Sequence, residues 1–145
     1  MEADSVAAVV GRARSRGIDV YVGKPASISS VLALEQLMGE QLPSSVRSYL
    51  QEFGCVSLED VHLSGIVGDD PHATEGGSIA FDTAQLRATA PELPLSHWVV
   101  LAHEDGAYGL DYSVRNAVEP RVVNFERGSS SLVAQSFSEF VANYL

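Results

Sequence analysis

The turn-rich segment 68–78 (GDDPHATEGGS) gathers the residue types that bind cations. Asp69, Asp70, His72 and Glu75 stand close together in it, and carboxylate oxygens suit hard cations whereas His and Cys suit zinc. The spacing matches no EF-hand loop, and no second His or Cys follows at a usual zinc spacing. We therefore predict a solvated acidic loop without a metal. A small hydrolase that uses this loop or a histidine is the alternative, and chelation or His→Ala substitution would abolish its activity.

Nucleophilic catalysis needs a Ser or Cys beside a base that a third group orients. Cys55 follows Gly54, which is predicted to end a helix, so it lacks the helix N-terminus that would activate a thiolate. Ser64-Gly65 lacks the first glycine of a nucleophile elbow, and no motif marks one histidine as a general base. The histidines are His62, His72, His97 and His103. We expect no catalytic residue, and we expect Cys55 to be a small buried side chain.

The glycine patterns predict no nucleotide cofactor. Gly76-Gly77 is not followed by the Lys and Ser or Thr of a phosphate-binding loop, and Gly106 and Gly109 do not form the dinucleotide fingerprint. We therefore expect the chain to work without a cofactor.

The chain carries a large negative charge. Its 145 residues include 9 Lys and Arg against 19 Asp and Glu, for a formal net charge of −10 and a pI of about 4.6. Binding to nucleic acid phosphates or to an anionic membrane needs a field of basic side chains that this composition does not supply. We therefore expect neither. A basic protein partner is compatible with the charge, and so is a plain role in solubility.

The acids concentrate in the middle of the chain, where Arg87 is the one base among them. They are Glu52, Glu59, Asp60, Asp69, Asp70, Glu75, Asp82, Glu92, Glu104, Asp105 and Asp111. The acids that we expect to contact a partner are Glu59, Asp60, Asp69, Asp70, Glu75, Glu104 and Asp105. Such carboxylates can meet a cationic surface, where they speed association and fix orientation more than they add affinity. Charge alone favours the solubility explanation.

Apolar residues at helical spacing predict helices at 5–16, 29–38, 44–53 and 132–144. Gly39 and Gly54 are expected to end the second and third helices. Ser44 or Ser45 is expected to cap the third, and the serines at 129–131 the last. A short helix at 83–89, capped by Asp82, is also predicted.

Alternating patterns predict strands at 18–22, within 56–67, briefly at 79–81, and at 98–102, 107–112 and 121–125. Asp105-Gly106 is a strong hairpin signal between two of them. Helices, then a sheet, then a closing helix indicate an α+β domain rather than a βαβ repeat. We predict a single domain over residues 1–145, with the N-terminal helices and a C-terminal helix packed on a mostly antiparallel sheet.

Several short motifs occur in the order that characterises one known family. They are LEQLMG (34–39), LP (42–43), YLQEFG (49–54), GI (65–66), WVVL (98–101), DGAYGLD (105–111) and FSEFV (137–141). Together they resemble the SUKH superfamily, which includes the yeast cell-wall regulators of Smi/Knr type. The resemblance covers about residues 28–145, and residues 1–27 are expected to add an N-terminal helix and an edge strand.

The resemblance implies a binding module without catalytic residues. Most bacterial members are similar to immunity proteins, which bind and neutralise a cognate toxin, often a nuclease or deaminase, delivered between competing cells. A nuclease presents cations to its substrate, so the acidic surface is expected to cover them. The alternative is a regulatory scaffold of the Smi/Knr type. In the resemblance, Asp105, Gly106, Tyr108 and Asp111 serve turn geometry and strand packing.

The location of the protein is also predicted. The single Cys55 fits a reducing compartment, the N-terminus is acidic before it is basic, unlike a secretory signal, and no apolar run approaches the ~20 residues that span a bilayer. We expect a soluble, cytoplasmic bacterial protein.

Overall fold

The computed structural model describes residues 5–115 and 117–145. The helices are α1 (Val6–Ser15), α2 (Ile28–Met38), α3 (Ser44–Phe53), α4 (Ile79–Thr89) and α5 (Phe137–Tyr144). The strands are β1 (Val20–Val22), β2 (Val56–Leu58), β3 (Val61–Leu63), β4 (His97–His103), β5 (Gly106–Asp111), β6 (Arg121–Glu126) and β7 (Ser129–Ala134). The predicted α+β class is confirmed.

The seven strands form one sheet in chain order, and every neighbouring pair is antiparallel. Three tight turns, at 59–60, 104–105 and 127–128, therefore lie at the same end of the sheet, which we call the hairpin end. The pairing of Leu63 with Leu101, extended along both strands, sets the turn at 59–60 level with the turn at 104–105. The topology thus brings acids that are distant in sequence to one edge.

The helices divide between the two faces of the sheet. Tyr108 of β5 contacts Phe140 of α5, with ring centroids 5.2 Å apart, and Tyr49 of α3 stacks on Phe137 at 6.1 Å. The neighbouring Ala107 points to the opposite face, because successive strand residues alternate. On that opposite face α4 packs against β4. The main core lies under α5, where Phe137 and Phe140 are fully buried.

Serines begin four of the helices. The hydroxyls of Ser5, Ser27, Ser78 and Ser136 accept hydrogen bonds from the first turns of α1, α2, α4 and α5. Gly39 ends α2 in the left-handed region, at φ 71°, as predicted. The predicted cap of α3 was wrong: Pro43 precedes that helix, with φ −64° and no side-chain cap.

The segment 79–81 was predicted to be a strand, and this was wrong. Ile79 begins α4, and Ser78 rather than Asp82 caps it. Ile79 and Thr83 are both fully buried and lie four residues apart on one helix face. Asp82 instead accepts hydrogen bonds from the Ser64 hydroxyl at 2.6 Å and from the Gly77 N–H at 3.2 Å.

The last helix begins later than predicted, because 129–134 is the strand β7. Arg127 and Gly128 both have positive φ, 53° and 78°, as in the turns that close two-residue hairpins. Ser129, Ser130 and Ser131 therefore pair with β6 instead of capping a helix. Ser136 caps α5, and the Glu139 carboxylate accepts the Gln135 N–H.

Candidate functional site

A groove of about 620 Å³ lies between α4 and the sheet at the hairpin end. Its floor is apolar, formed by Val99, Ala107 and Phe125. Acids line its wall and mouth: Asp82, Glu92, Glu104 and Asp105. Arg127 is the single base among the residues that line it. We call this feature the acidic groove.

Three of these carboxylates are available to a partner. Glu92, Glu104 and Asp105 are exposed, and within the described part of the chain their carboxylates make no hydrogen bond or ion pair. Asp82 is half-buried and already engaged by Ser64 and Gly77. A cationic group that entered the groove would therefore meet unpaired carboxylates above an apolar floor, where attraction is stronger than in open water.

A chain of hydrogen bonds holds the β4–β5 turn in place. The Asp105 N–H donates to His103 Nδ1 at 3.2 Å, which makes Nε2 the protonated ring nitrogen. That nitrogen lies 2.7 Å from the Asn124 Oδ1, and Asn124 donates to Glu126 at 2.7 Å. His103 thus anchors the turn that carries Glu104 and Asp105.

The seven acids predicted to contact a partner fall into two groups. Glu59, Asp60, Glu104 and Asp105 all lie at the hairpin end, in two turns that the register sets side by side. Glu59 adopts φ 53°, and its N–H donates to the Asp19 carbonyl at 3.1 Å. Glu104 and Asp105 line the groove, whereas Glu59 lines a separate cleft that it shares with Arg12 and Arg16 of α1.

The other group, Asp69, Asp70 and Glu75, follows the far end of β3. The Asp69 carboxylate accepts hydrogen bonds from the Ser27 N–H at 2.8 Å and the Ser27 hydroxyl at 3.1 Å. The backbone hydrogen bond from Ser27 lowers the Asp69 pKa. Asp70 accepts the His72 N–H at 2.9 Å. Asp69 thus fixes the loop to the start of α2, and Asp70 closes a turn within the loop.

None of the other sequence candidates forms a reactive centre in the described ranges 5–115 and 117–145. No group of three or more His, Cys, Asp or Glu side chains there is placed to hold a metal ion. Cys55 is only partly buried; burial and then the nearby Glu75 raise the pKa of its thiol, which disfavours the nucleophilic thiolate.

The one His–Asp side-chain pair among the described residues is buried in the sheet. His97, Asp111 and Arg121 sit opposite one another on β4, β5 and β6. Asp111 Oδ1 lies 3.4 Å from His97 Nε2, and Oδ2 lies 3.2 Å from an Arg121 guanidinium nitrogen. The His97 and Asp111 side chains are only 6% and 5% exposed, so this row braces the sheet rather than meeting a substrate.

Acidification is expected to destabilise the fold through His97. Burial lowers the His97 pKa, Asp111 opposes this and Arg87 adds to it. Below about pH 6.5 the unfolded chain binds a proton at this position that the folded chain resists, so stability falls as the pH drops through that range. Thermal unfolding from pH 7.5 to 5 measures the effect.

The matched variants for this experiment are His97→Asn and His62→Asn. His62 is exposed, so its loss should leave the pH dependence as in the native chain. The His97 variant should lose less stability than the native chain over the same range. An identical slope for all three proteins would contradict the assignment to His97.

The sequence did not predict that Asp82 and Glu92 line the same groove as the turn residues Glu104 and Asp105. Glu92 and Asp82 were counted among the middle acids but not singled out. Glu92 follows α4, and its position beside Gly128 depends on how α4 crosses the sheet. No local pattern reports that crossing.

The comparisons with known proteins agree with this architecture. The family model described as SMI1-KNR4 cell-wall, of the SUKH_5 type, matches residues 9–145, which includes most of α1 and all of β1. A search of curated proteins gives no match. No helix among the described residues is long and apolar enough to cross a bilayer. With the family model covering nearly its whole length, the chain belongs to the SMI1-KNR4 family of SUKH domains.

Proposed function

We propose that this protein is a non-enzymatic immunity protein that binds a basic toxin domain, such as a nuclease, and covers its cationic active site. Membership of a family of immunity and protein-interaction domains supports this role. The observation that carries it is the acidic groove, in which unpaired Glu92, Glu104 and Asp105 surround an apolar floor. The protein would act in the cytoplasm, where it meets its toxin.

Inhibition in this mode requires no chemistry from the protein. A Lys or Arg of the toxin would lay its aliphatic stem on Phe125 and Ala107 and place its charge among the carboxylates. Glu59 and Asp60, in the neighbouring turn at the same end of the sheet, would add to the negative field that steers the approach. The result is a rapid encounter whose rate falls with added salt.

A regulatory scaffold is the second candidate, favoured by the cell-wall description of the matching family. It would use the same groove for a host signalling protein. The neighbourhood of the gene discriminates between the two: a gene for a large secreted protein with a variable C-terminal domain favours immunity.

The first test mixes the purified protein with the C-terminal domain of the toxin encoded beside its gene. We expect a stable complex, loss of the toxin's activity, and protection of cells that express both. Absence of a complex and of protection would refute the proposed function.

Two charge-matched double variants locate the interface. Glu104→Gln with Asp105→Asn removes two negative charges from the groove, and Asp70→Asn with Glu75→Gln removes two from the far loop. The first pair is expected to weaken the complex about tenfold or more, since central contacts dominate an interface. The second should change it less than about threefold, as distant charges act mainly through steering. Equal weakening by both pairs, measured by calorimetry, would mean that the groove has no special role.

A further inference from the structure

The strand β7 forms an open edge of the sheet. It is the last of the seven strands, and its residues Ser129–Leu132 are exposed, with Leu132 at 50%. Within residues 5–115 and 117–145, no backbone hydrogen bond joins β7 to any element except β6. The opposite edge strand, β1, is only three residues long.

The hairpin geometry shows which backbone groups are free on this edge. In a two-residue hairpin the closing pair, here Glu126 and Ser129, exchanges both hydrogen bonds, and pairs then alternate along the ladder. Ser131 therefore also bonds to β6. The N–H and C=O groups of Ser130 and Leu132 point away from the sheet, as a template for one more strand.

Natural sheets commonly protect such an edge with Lys, Pro or a covering segment. The exposed stretch Ser129–Leu132 has none of these, and the irregular register at Val133 lies beyond it. An uncharged, exposed edge over these four residues matches the mode in which an extended peptide adds a strand, with main-chain hydrogen bonds giving affinity.

The edge is continuous with the acidic groove. Ala107, Phe125 and Ser130 form one cross-strand row on the face that carries the groove floor. A side chain opposite Ser130 on an added strand would extend that row. The Glu92 side chain comes within 3.9 Å of the position that a Cβ on Gly128 would take, so this carboxylate stands at the start of β7.

The acids near both ends of β7 favour a basic segment over a second copy of this chain. Near its start the two carboxylates of Glu92 and Glu126 outnumber the one guanidinium of Arg127, and Glu139 accepts the Gln135 N–H just beyond its end. A second copy paired antiparallel through β7 would bring the Glu92 end against the Glu139 end of its neighbour, and like charges would repel. An extended strand bearing Lys or Arg would instead be attracted at both ends.

We propose that β7 is a docking edge onto which a basic, extended segment of the partner protein adds as an eighth strand. This inference rests on the proposed binding function and specifies its geometry. The added strand bonds to the outward groups of Ser130 and Leu132, and its basic side chains reach Glu92 and the groove.

The test titrates the isotope-labelled full chain with a nine-residue peptide of alternating Lys and Val, followed by NMR. We expect saturable shifts of the amides of Ser129–Ala134 and of Glu92. A peptide with Glu in place of Lys should bind at least tenfold more weakly. A Lys peptide with alternate N-methylated amides, which cannot donate to the edge, should produce none of these shifts.

Two variants at Ser130 distinguish the contribution of its backbone N–H to peptide binding from that of its side chain. Ser130→Pro removes an outward N–H and leaves the β6 ladder intact, so it should abolish the shifts at an unchanged melting temperature. Ser130→Ala should bind as the native chain does. If the proline variant folds poorly, the N-methylated peptide tests the same backbone hydrogen bonds from the peptide side.

The outcomes distinguish this inference from the proposed function. Shifts confined to residues outside β7, or equal binding of the Lys and Glu peptides, overturn the docking edge. A toxin complex that Ser130→Pro leaves unchanged also overturns the edge and keeps the proposed function. Saturable binding of the Lys peptide at β7 without any toxin complex supports the edge and overturns the immunity role.

Discussion

Replacing Gly65 by Ala is expected to destabilise the protein by about 3 kcal/mol or more, because the new methyl group has no space. A Cβ on Gly65 would overlap the Gly54 carbonyl oxygen and lie 2.9 Å from the Tyr49 hydroxyl. That hydroxyl cannot withdraw freely, since it donates to the Leu63 and Ser64 carbonyls at 2.9 and 3.0 Å.

The backbone around Gly65 is equally fixed. Its N–H donates to the Gly77 carbonyl at 2.7 Å, its carbonyl accepts the Ile79 N–H at 2.9 Å, and the Gly54 carbonyl accepts the Ile66 N–H at 2.8 Å. Relief of the overlap would disturb the start of α4 and the end of α3 together. A loss of this size is a large part of the 5–15 kcal/mol that stabilises a typical domain.

Urea unfolding measures this effect, with Gly11→Ala as the matched control. Gly11 lies inside α1, and a Cβ there would meet nothing within 4 Å. The same chemical change should stabilise that helix by about 0.5–1 kcal/mol. A Gly65 variant with the native unfolding midpoint would show that the two backbone segments are not held together as described.

The same contact explains why two of the family's motifs occur together. YLQEFG at 49–54 and GI at 65–66 are separate in sequence, but in the fold Gly54 and Gly65 touch. Neither glycine has a local signature that predicts its neighbour. The motifs were identified from their order along the chain, and only the fold shows that Gly54 and Gly65 pack directly against each other.

Local patterns predicted the elements whose signal lies in their own residues. The amphipathic spacing of α1 and α3 and the Asp-Gly signal between β4 and β5 were confirmed. Gly106 nevertheless has a different role from the one its motif indicates. It begins β5, where a Cβ would overlap the Phe125 carbonyl oxygen, so close strand approach requires glycine there.

The missed strand β7 shows where such patterns fail. Its three serines have weak strand preference and resemble helix caps, and the closing residues Arg127-Gly128 are not a common hairpin pair. Pairing with β6 overrides these local preferences. The open edge of β7 was therefore not predicted from the sequence, and neither was the position of Glu92 on the same groove as Glu104 and Asp105.

Replacing Asp111 by Asn is expected to cost about 2–3 kcal/mol at pH 7, since it leaves the half-buried Arg121 guanidinium and the buried His97 ring without their anion. Burial alone would raise the Asp111 pKa, but hydrogen bonds from Ser113, then His97 and Arg121, lower it. The ionised carboxylate therefore stabilises the folded state above the ordinary carboxyl pKa of about 4, and this contribution is lost as the pH falls through the lowered value.

The pH dependence separates this effect from a loss of packing. Asn has nearly the volume of Asp, so the difference between native and variant proteins should be full at pH 7 and shrink below about pH 4, as the native carboxyl takes up a proton. Asp105→Asn, an exposed carboxylate on the same hairpin, should change stability by less than about 0.5 kcal/mol. A deficit in Asp111→Asn that stays constant down to pH 2.5 would mean that shape, not charge, makes this residue necessary. If the deficit does shrink, the strand that ends in Asp111 is held by the same row that makes His97 sensitive to acid. The effects of Asp111→Asn and His97→Asn on stability should then be non-additive when the two substitutions are combined.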